Sequence, residues 1–176
     1  MSGLFSHPPE AAGDSSPRPE LRVTVVVPAP AGHAWAGLTE HLHLWWPADE
    51  LSRWGEGSFF DLEDKALVET SAQDDENVWG EVTDGRPGQW LELRWTHAGS
   101  SDTTQVRLEL AEGPRASDVQ PLAGPSGELP PGSEGRTTLT LTHGGWTTAD
   151  PQDVYEFYQA FWPGALARYR RFMGGA

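Results

Sequence analysis

The side chains that could do chemistry in this chain are few: six histidines, three tyrosines and no cysteine. Without cysteine, disulfides, thiolate metal sites and thiol nucleophiles are excluded. His143 ends a row in which Leu139, Leu141 and His143 alternate with Thr138, Thr140 and Thr142. A polar residue closing an apolar row is placed to act as a general base or to hydrogen-bond a ligand. It is also placed to be a core histidine satisfied by a backbone group or water. His97, two residues after Trp95, admits the same two roles. Tyr158 and Tyr169 share a helical stripe and either offer hydroxyls to whatever it faces or serve as core tyrosines with a wet tip.

Other constellations carry less. His41 and His43, near Glu40 and Asp49, invite a metal reading. Residues two apart on a helix point away from each other, and a catalytic zinc wants three convergent ligands with fixed supporting partners. No metal and no cofactor is therefore expected. No serine sits in a strand-to-helix elbow, so triad chemistry has no support, and no catalytic residue is assigned. Paired carboxylates would need one buried member with a raised pKa, whereas the acids here fall mostly in turns.

The elements that must hold these residues follow from periodicity. Leu21–Val27 is β-branched and alternating, a strand ended by Pro28 and Pro30. Ala34, Trp35, Leu38 and Leu42 then recur at spacings of three and four, a helix beginning at Ala31. Leu44-Trp45-Trp46-Pro47 predicts a second short helix or turn. Six strands follow, at 57–62, 66–70, 77–84, 90–96, 103–111 and 136–143, parted by turns such as Asp84-Gly85 and Pro87-Gly88. Residues 112–134 are rich in Pro, Gly and Ser and read as a loop insertion. The chain closes on an amphipathic helix from Pro151 to Phe172, its stripe being Val154, Phe157, Tyr158, Phe161, Ala165, Tyr169 and Phe172. Asp150 reads as its N-cap with Pro151 in the first turn, and Pro163-Gly164 should kink or restart it. Residues 1–20 read as a disordered leader, leaving one domain over 21–173.

Consecutive strands form antiparallel neighbours, so the expected class is α+β: a curved antiparallel sheet of about six to seven strands around a long C-terminal helix. Such a grip can enclose a cavity. Strand parity turns Leu91, Leu93, Trp95, Val106, Leu108, Leu139, Leu141 and His143 inward, facing Val154, Phe157, Tyr158, Phe161 and Tyr169. Trp35, Leu38, Leu42 and Trp46 close one end. These residues either line a pocket for a hydrophobic or aromatic small molecule or fill the core outright.

Charge limits the partners. Twelve Lys+Arg against 26 Asp+Glu give a net −14, which excludes nucleic acid as a partner. Residues 49–92 hold thirteen acids against Arg53, Lys65 and Arg86, either a solvated surface or an acidic face for a basic protein partner. No stretch reaches the roughly 20 apolar residues that span a bilayer. The N-terminal residues lack a cationic start and an apolar run, so no signal peptide or membrane role is expected and a cytoplasmic location is. Nine tryptophans suit a pocket or a homodimer interface alike, so monomer and homodimer both remain open.

Several segments together resemble a known family. Val25-Val26-Val27-Pro28-Ala29-Pro30, followed by Ala34-Trp35 and Leu38-Thr39, is similar to the opening strand and helix of START-like (SRPBCC) domains. Trp45-Trp46-Pro47 resembles the paired-tryptophan end of their second helix. Gly80-Glu81-Val82 and Trp90-Leu91-Glu92-Leu93-Arg94-Trp95 resemble the central hairpin. Thr138-Leu139-Thr140-Leu141-Thr142-His143 and the Phe161-Trp162…Leu166 helix complete a likeness covering roughly residues 21–173. The subgroup it resembles most is the bacterial single-domain form of the activator of heat-shock protein ninety ATPase homologues. That resemblance implies a helix-grip fold with an apolar cavity, in a superfamily of lipid and hormone carriers, polyketide cyclases, hydrolases and oxygenase domains. The expectation is small-molecule binding without firm catalysis. The alternatives are a co-chaperone-like interaction domain, or a cyclase- or hydrolase-like enzyme using His143 and a tyrosine.

Overall fold

The computed structural model describes residues 16–63, 65–113 and 135–175. β1 (Leu21–Val27) leads into α1 (Ala31–Thr39) and a 3-10 turn at Leu42–Leu44. Six strands follow: β2 (Phe59–Glu63), β3 (Ala66–Thr70), β4 (Glu76–Arg86), β5 (Trp90–Thr96), β6 (Thr103–Glu112) and β7 (Thr137–Gly144). The chain then enters α2 (Gln152–Phe172). All pairs are antiparallel in the order β1-β7-β6-β5-β4-β3-β2, so β2 to β7 form a continuous meander and β1 adds to its far edge beside β7. The expected α+β helix-grip architecture is what forms.

Curvature has local causes. Register shifts at Leu67/Val68 and Val82/Asp84 bend the β3–β4 and β4–β5 pairs, as bulges do, and so wrap the sheet towards α2. α1 lies tight on the end of α2 because Gly37 has no side chain; a Cβ there would collide with the Met173 sulfur. Tyr169 Oη then donates to the Ala34 carbonyl (2.6 Å), and Trp45 Nε1 donates to the Gly37 carbonyl (2.8 Å).

The structure corrects several expectations. Residues 16–20, assigned to the leader, are fastened to the domain. Ser16 N–H donates to Thr148 Oγ1 (3.0 Å), Pro17 bridges Thr147, and Tyr155 Oη donates to the Pro19 carbonyl (2.8 Å). The rest of the expected leader, residues 1–15, lies outside the described residues, as does most of the insertion, residues 114–134. Asp150 is not the N-cap: α2 starts at Gln152 behind Pro151, and the Asp150 carboxylate accepts from Thr147 N–H (2.7 Å). α2 does not restart at Pro163. Proline removes the N–H that Gln159 C=O would accept, but both residues are exposed, so water can replace it. Phe172 ends the expected stripe yet is 38% exposed, while Trp162, off that stripe, is buried because the sheet grips α2 from more than one side.

Candidate functional site

Between α2 and the sheet, aromatic rings carry the packing. Trp46 lies within 6.4 Å, centroid to centroid, of Trp95, Phe60, Phe161 and Trp162. Their bulk leaves an apolar void of only about 30 Å³. That is room for about one water, whereas drug-sized ligand pockets span roughly 300–1,000 Å³. Nine of the inward residues expected to line a cavity do line this void: Leu38, Leu42, Trp46, Leu91, Leu93, Trp95, Val106, Leu108 and Leu141. Trp45, Leu62, Leu67, Trp162 and Leu166 join them. Leu139, His143, Phe161 and Tyr169 are buried and do not line it.

Outside the void lies an open cleft of about 700 Å³. Trp35, Thr39 and Glu40 of α1 form one wall; Leu62, Glu63, Lys65, the β4 segment 82–86, Pro87, Trp90 and Leu91 form the rest. Leu62 and Leu91 belong to both spaces, so these two side chains separate the cleft from the void. The Arg107 guanidinium lies 4.3 Å over the Trp90 ring and holds that rim by a cation–π contact. Trp35 is the one cavity candidate besides Leu91 that reaches the cleft, while Val154 and Phe157 lie at the opposite end of β4 and β5.

Of the two roles open to His143, the structure places it in the core. Its side chain is fully buried, ringed by Trp95, Trp146, Tyr158 and Trp162. The Trp162 indole N–H, a donor only, points at Nδ1 (2.9 Å), so Nδ1 carries no proton and Nε2–H donates to Thr104 Oγ1 (2.6 Å). Burial pushes its pKa from 6.5 down to about 3. With both nitrogens engaged and its side chain fully buried, His143 is a neutral core histidine.

Tyr158 is equally enclosed. Its oxygen accepts from Trp95 Nε1–H (2.9 Å) and lies 2.8 Å from His97 Nδ1. A buried hydroxyl must place its own proton, and His97 Nδ1 is the acceptor within reach, so Tyr158 donates to it. Burial raises the Tyr158 pKa above the usual tyrosine value, opposed by the Trp95 bond. Burial lowers the half-buried His97 below 6.5, opposed by the charge of Asp153.

The sequence reading missed a buried carboxylate. Glu69 in β3 is fully buried and accepts from the Ser52 hydroxyl, the Ser58 hydroxyl (2.5 Å), Arg53 N–H (2.9 Å) and Trp79 Nε1–H (2.9 Å). Burial pushes its pKa up, but these hydrogen bonds together outweigh it and hold the group below the usual glutamate range. With all its acceptors taken, Glu69 pins the segment before β2 to the sheet. Leu67, two residues earlier on the same inward face, was the available signal.

His41 and His43 flank and enter the 3-10 turn, and the His43 ring sits 5.1 Å from Phe59. Among the described residues no three His, Asp or Glu side chains could jointly hold a metal ion. Among the same residues no helix is long and apolar enough to cross a membrane.

No protein-family model matches the sequence, and no curated protein matches it. Solved structures do. DynU16, a protein of the dynemicin biosynthetic locus, is 22% identical at a TM-score of 0.54 over 90% of this chain; the match spans only 48% of DynU16. A Mesorhizobium loti protein is 15% identical at 0.59, covering 89% of this chain and 97% of its own. An HSP90 activator from Plasmodium falciparum is 15% identical at 0.52, covering 88% and 96%. Identities this low show the fold alone: seven curled antiparallel strands gripping a C-terminal helix, a helix-grip architecture this chain shares with these structures.

Proposed function

We propose that this domain binds a hydrophobic or aromatic small molecule at the α1 end of the grip, without acting on it chemically. One observation carries the reading: Leu62 and Leu91 form a two-residue wall between an open cleft of about 700 Å³ and the apolar void behind it. A ligand body seats against Trp35 and Trp90 in the cleft, and displacement of the wall admits an apolar tail to the void. Glu40, Glu63 and Asp84 beside Lys65 and Arg86 give the cleft a polar rim that orients the ligand's heteroatoms. Nile red, a neutral apolar dye, tests this. Saturable binding is expected, weakened about tenfold by Leu62→Lys and by Trp35→Ala. Equal binding by wild type and both variants would overturn the reading.

A second reading has its own observation. Leu44 and Phe59 are 59% and 50% exposed; the pairing of Phe59 with Thr70 and of Thr70 with Glu76 sets Phe59 at the acidic end of the outermost strands, and His43, next to Leu44, has its ring 5.1 Å from Phe59. An apolar spot on an acidic edge suits a basic protein partner, and the P. falciparum neighbour is an HSP90 activator. Calorimetry with purified HSP90 tests it; binding lost in Phe59→Asp is the expected result, and no heat of binding by wild type rejects it.

A further inference from the structure

This chain has no cysteine, so a one-electron oxidant meets chiefly indole and phenol rings. Those rings form a continuous path from the surface into the core. Tyr155, partly exposed, lies 5.4 Å from Trp146, centroid to centroid, and Trp146 lies 5.8 Å from Tyr158. Tyr158 in turn lies 6.1 Å from Trp95 and 5.8 Å from Trp162. Electrons tunnel readily between rings this close, so one oxidised ring shares its hole with the others. The hole settles where a ring can shed a proton, because a neutral radical is more stable than a radical cation.

The proton acceptors differ from ring to ring. Tyr155 and Tyr169 donate to the backbone carbonyls of Pro19 and Ala34, which are not bases. The Arg18 guanidinium, 5.3 Å over the Tyr155 ring, also disfavours positive charge there. Trp79 donates to Glu69 and Trp162 to His143 Nδ1. Neither acceptor takes up a proton readily: hydrogen bonds from Ser52, Ser58 and Arg53 N–H hold Glu69 ionised, and burial holds His143 neutral. Tyr158 is placed differently. Its hydroxyl donates to His97 Nδ1 at 2.8 Å, and Trp95 Nε1–H fixes its oxygen from the other side at 2.9 Å. His97 is only half-buried, on the wall of an open groove that Asp153 also lines. The Asp153 charge favours the imidazolium, against the burial that disfavours it.

We propose that Tyr158 and His97 form a redox dyad that holds one oxidising equivalent drawn from the aromatic network. A diffusible one-electron oxidant removes an electron and is itself reduced by one. The Tyr158 O–H bond breaks, its proton passes to His97 Nδ1, and a neutral tyrosyl radical remains beside an imidazolium. A one-electron reductant of the enediol class, such as ascorbate, reverses the step: the electron returns to Tyr158 and the Nδ1 proton to its oxygen. This activity stands apart from ligand binding in the cleft, which neither residue of the dyad lines.

The probe is a photogenerated ruthenium(III) polypyridyl ion, an outer-sphere oxidant that the net charge of −14 draws to the full-length protein. Transient absorption follows the radicals, and freeze-quench electron paramagnetic resonance identifies them. Wild type should show tryptophanyl signals that give way to a tyrosyl radical, more slowly in D2O than in water. Tyr158→Phe should abolish the tyrosyl signal and leave longer-lived tryptophanyl radicals, whereas Tyr155→Phe should leave the tyrosyl signal in place. His97→Gln keeps an acceptor for the hydroxyl but cannot hold the proton, so the tyrosyl radical should form at least about tenfold more slowly. Thermal melting of each variant separates a lost dyad from a lost fold, and the half-buried His97→Gln serves if Tyr158→Phe unfolds. Tryptophanyl radicals alone in wild type, a tyrosyl signal that survives in Tyr158→Phe, or an unchanged rate in His97→Gln would each overturn the proposal.

Discussion

Acidification should weaken this fold well before its carboxylates titrate, because His143 stays neutral in the core. In the unfolded chain the imidazole takes up a proton near 6.5, whereas in the fold it does so near 3. Between those values the unfolded state binds more protons, so stability is full above 6.5 and falls as the pH drops towards 3. Each pH unit inside the window costs about 1.4 kcal/mol, so moving from about pH 7 to pH 5 removes about 2 kcal/mol. His97, also lowered, adds in the same direction. Glu69 acts lower: its folded pKa lies below 4.5, so its contribution is intact above 4.5 and is lost as the pH falls below that. The assay is urea unfolding by tryptophan fluorescence at several pH values in this range, with an unchanged m-value as the two-state check. His143→Gln keeps an acceptor for Trp162 and a donor for Thr104 but cannot titrate, so it should flatten most of the slope. A wild-type stability flat across the window, or an equally steep slope in His143→Gln, would refute the assignment of His143 as a buried neutral group.

Other perturbations read different parts of the molecule. Glu69→Gln sets an amide N–H₂ among donors and should cost about 2–4 kcal/mol, with faster hydrogen exchange at the Arg53 and Trp54 amides. Tyr158→Phe strands the Trp95 indole N–H and should cost about 1–3 kcal/mol by denaturant melts. Leu91→Ala joins the void to the cleft: about 2–4 kcal/mol of stability should be lost while Nile red affinity rises. Pro163→Ala restores a helix hydrogen bond on an exposed face and should raise stability by about 1–3 kcal/mol in the same melts.

Much of this was legible in the sequence, for identifiable reasons. β1, β3 and β5 fall on the expected residues because prolines, turn pairs and strict alternation bound them. The inward rows of β5, β6 and β7 are buried as parity requires. Glu69 was hidden because an acid in an acidic stretch reads as solvated, and only the contacts from Ser52, Ser58 and Trp79 explain a carboxylate turned inward. Trp162 was hidden because a helical stripe assumes one buried face, and α2 has more. Whether the grip encloses a ligand-sized space was beyond periodicity altogether: it depends on the summed volumes of Trp46, Trp95 and Trp162, which pattern does not count. The part Leu62 plays in the wall follows from the same packing.

The ring lattice also makes this protein an unusual optical object. Trp46, Trp79, Trp95 and Trp162 form a chain with centroid separations of 5.5–6.4 Å. At such spacing the indole transitions couple, so absorbed light is shared among rings and the near-ultraviolet circular dichroism carries exciton-type bands no isolated tryptophan would show. Excitation migrates to whichever indole lies lowest in energy, so emission reports on the lattice as a whole. Replacing any one of the four should therefore change the spectrum by more than one fluorophore's share.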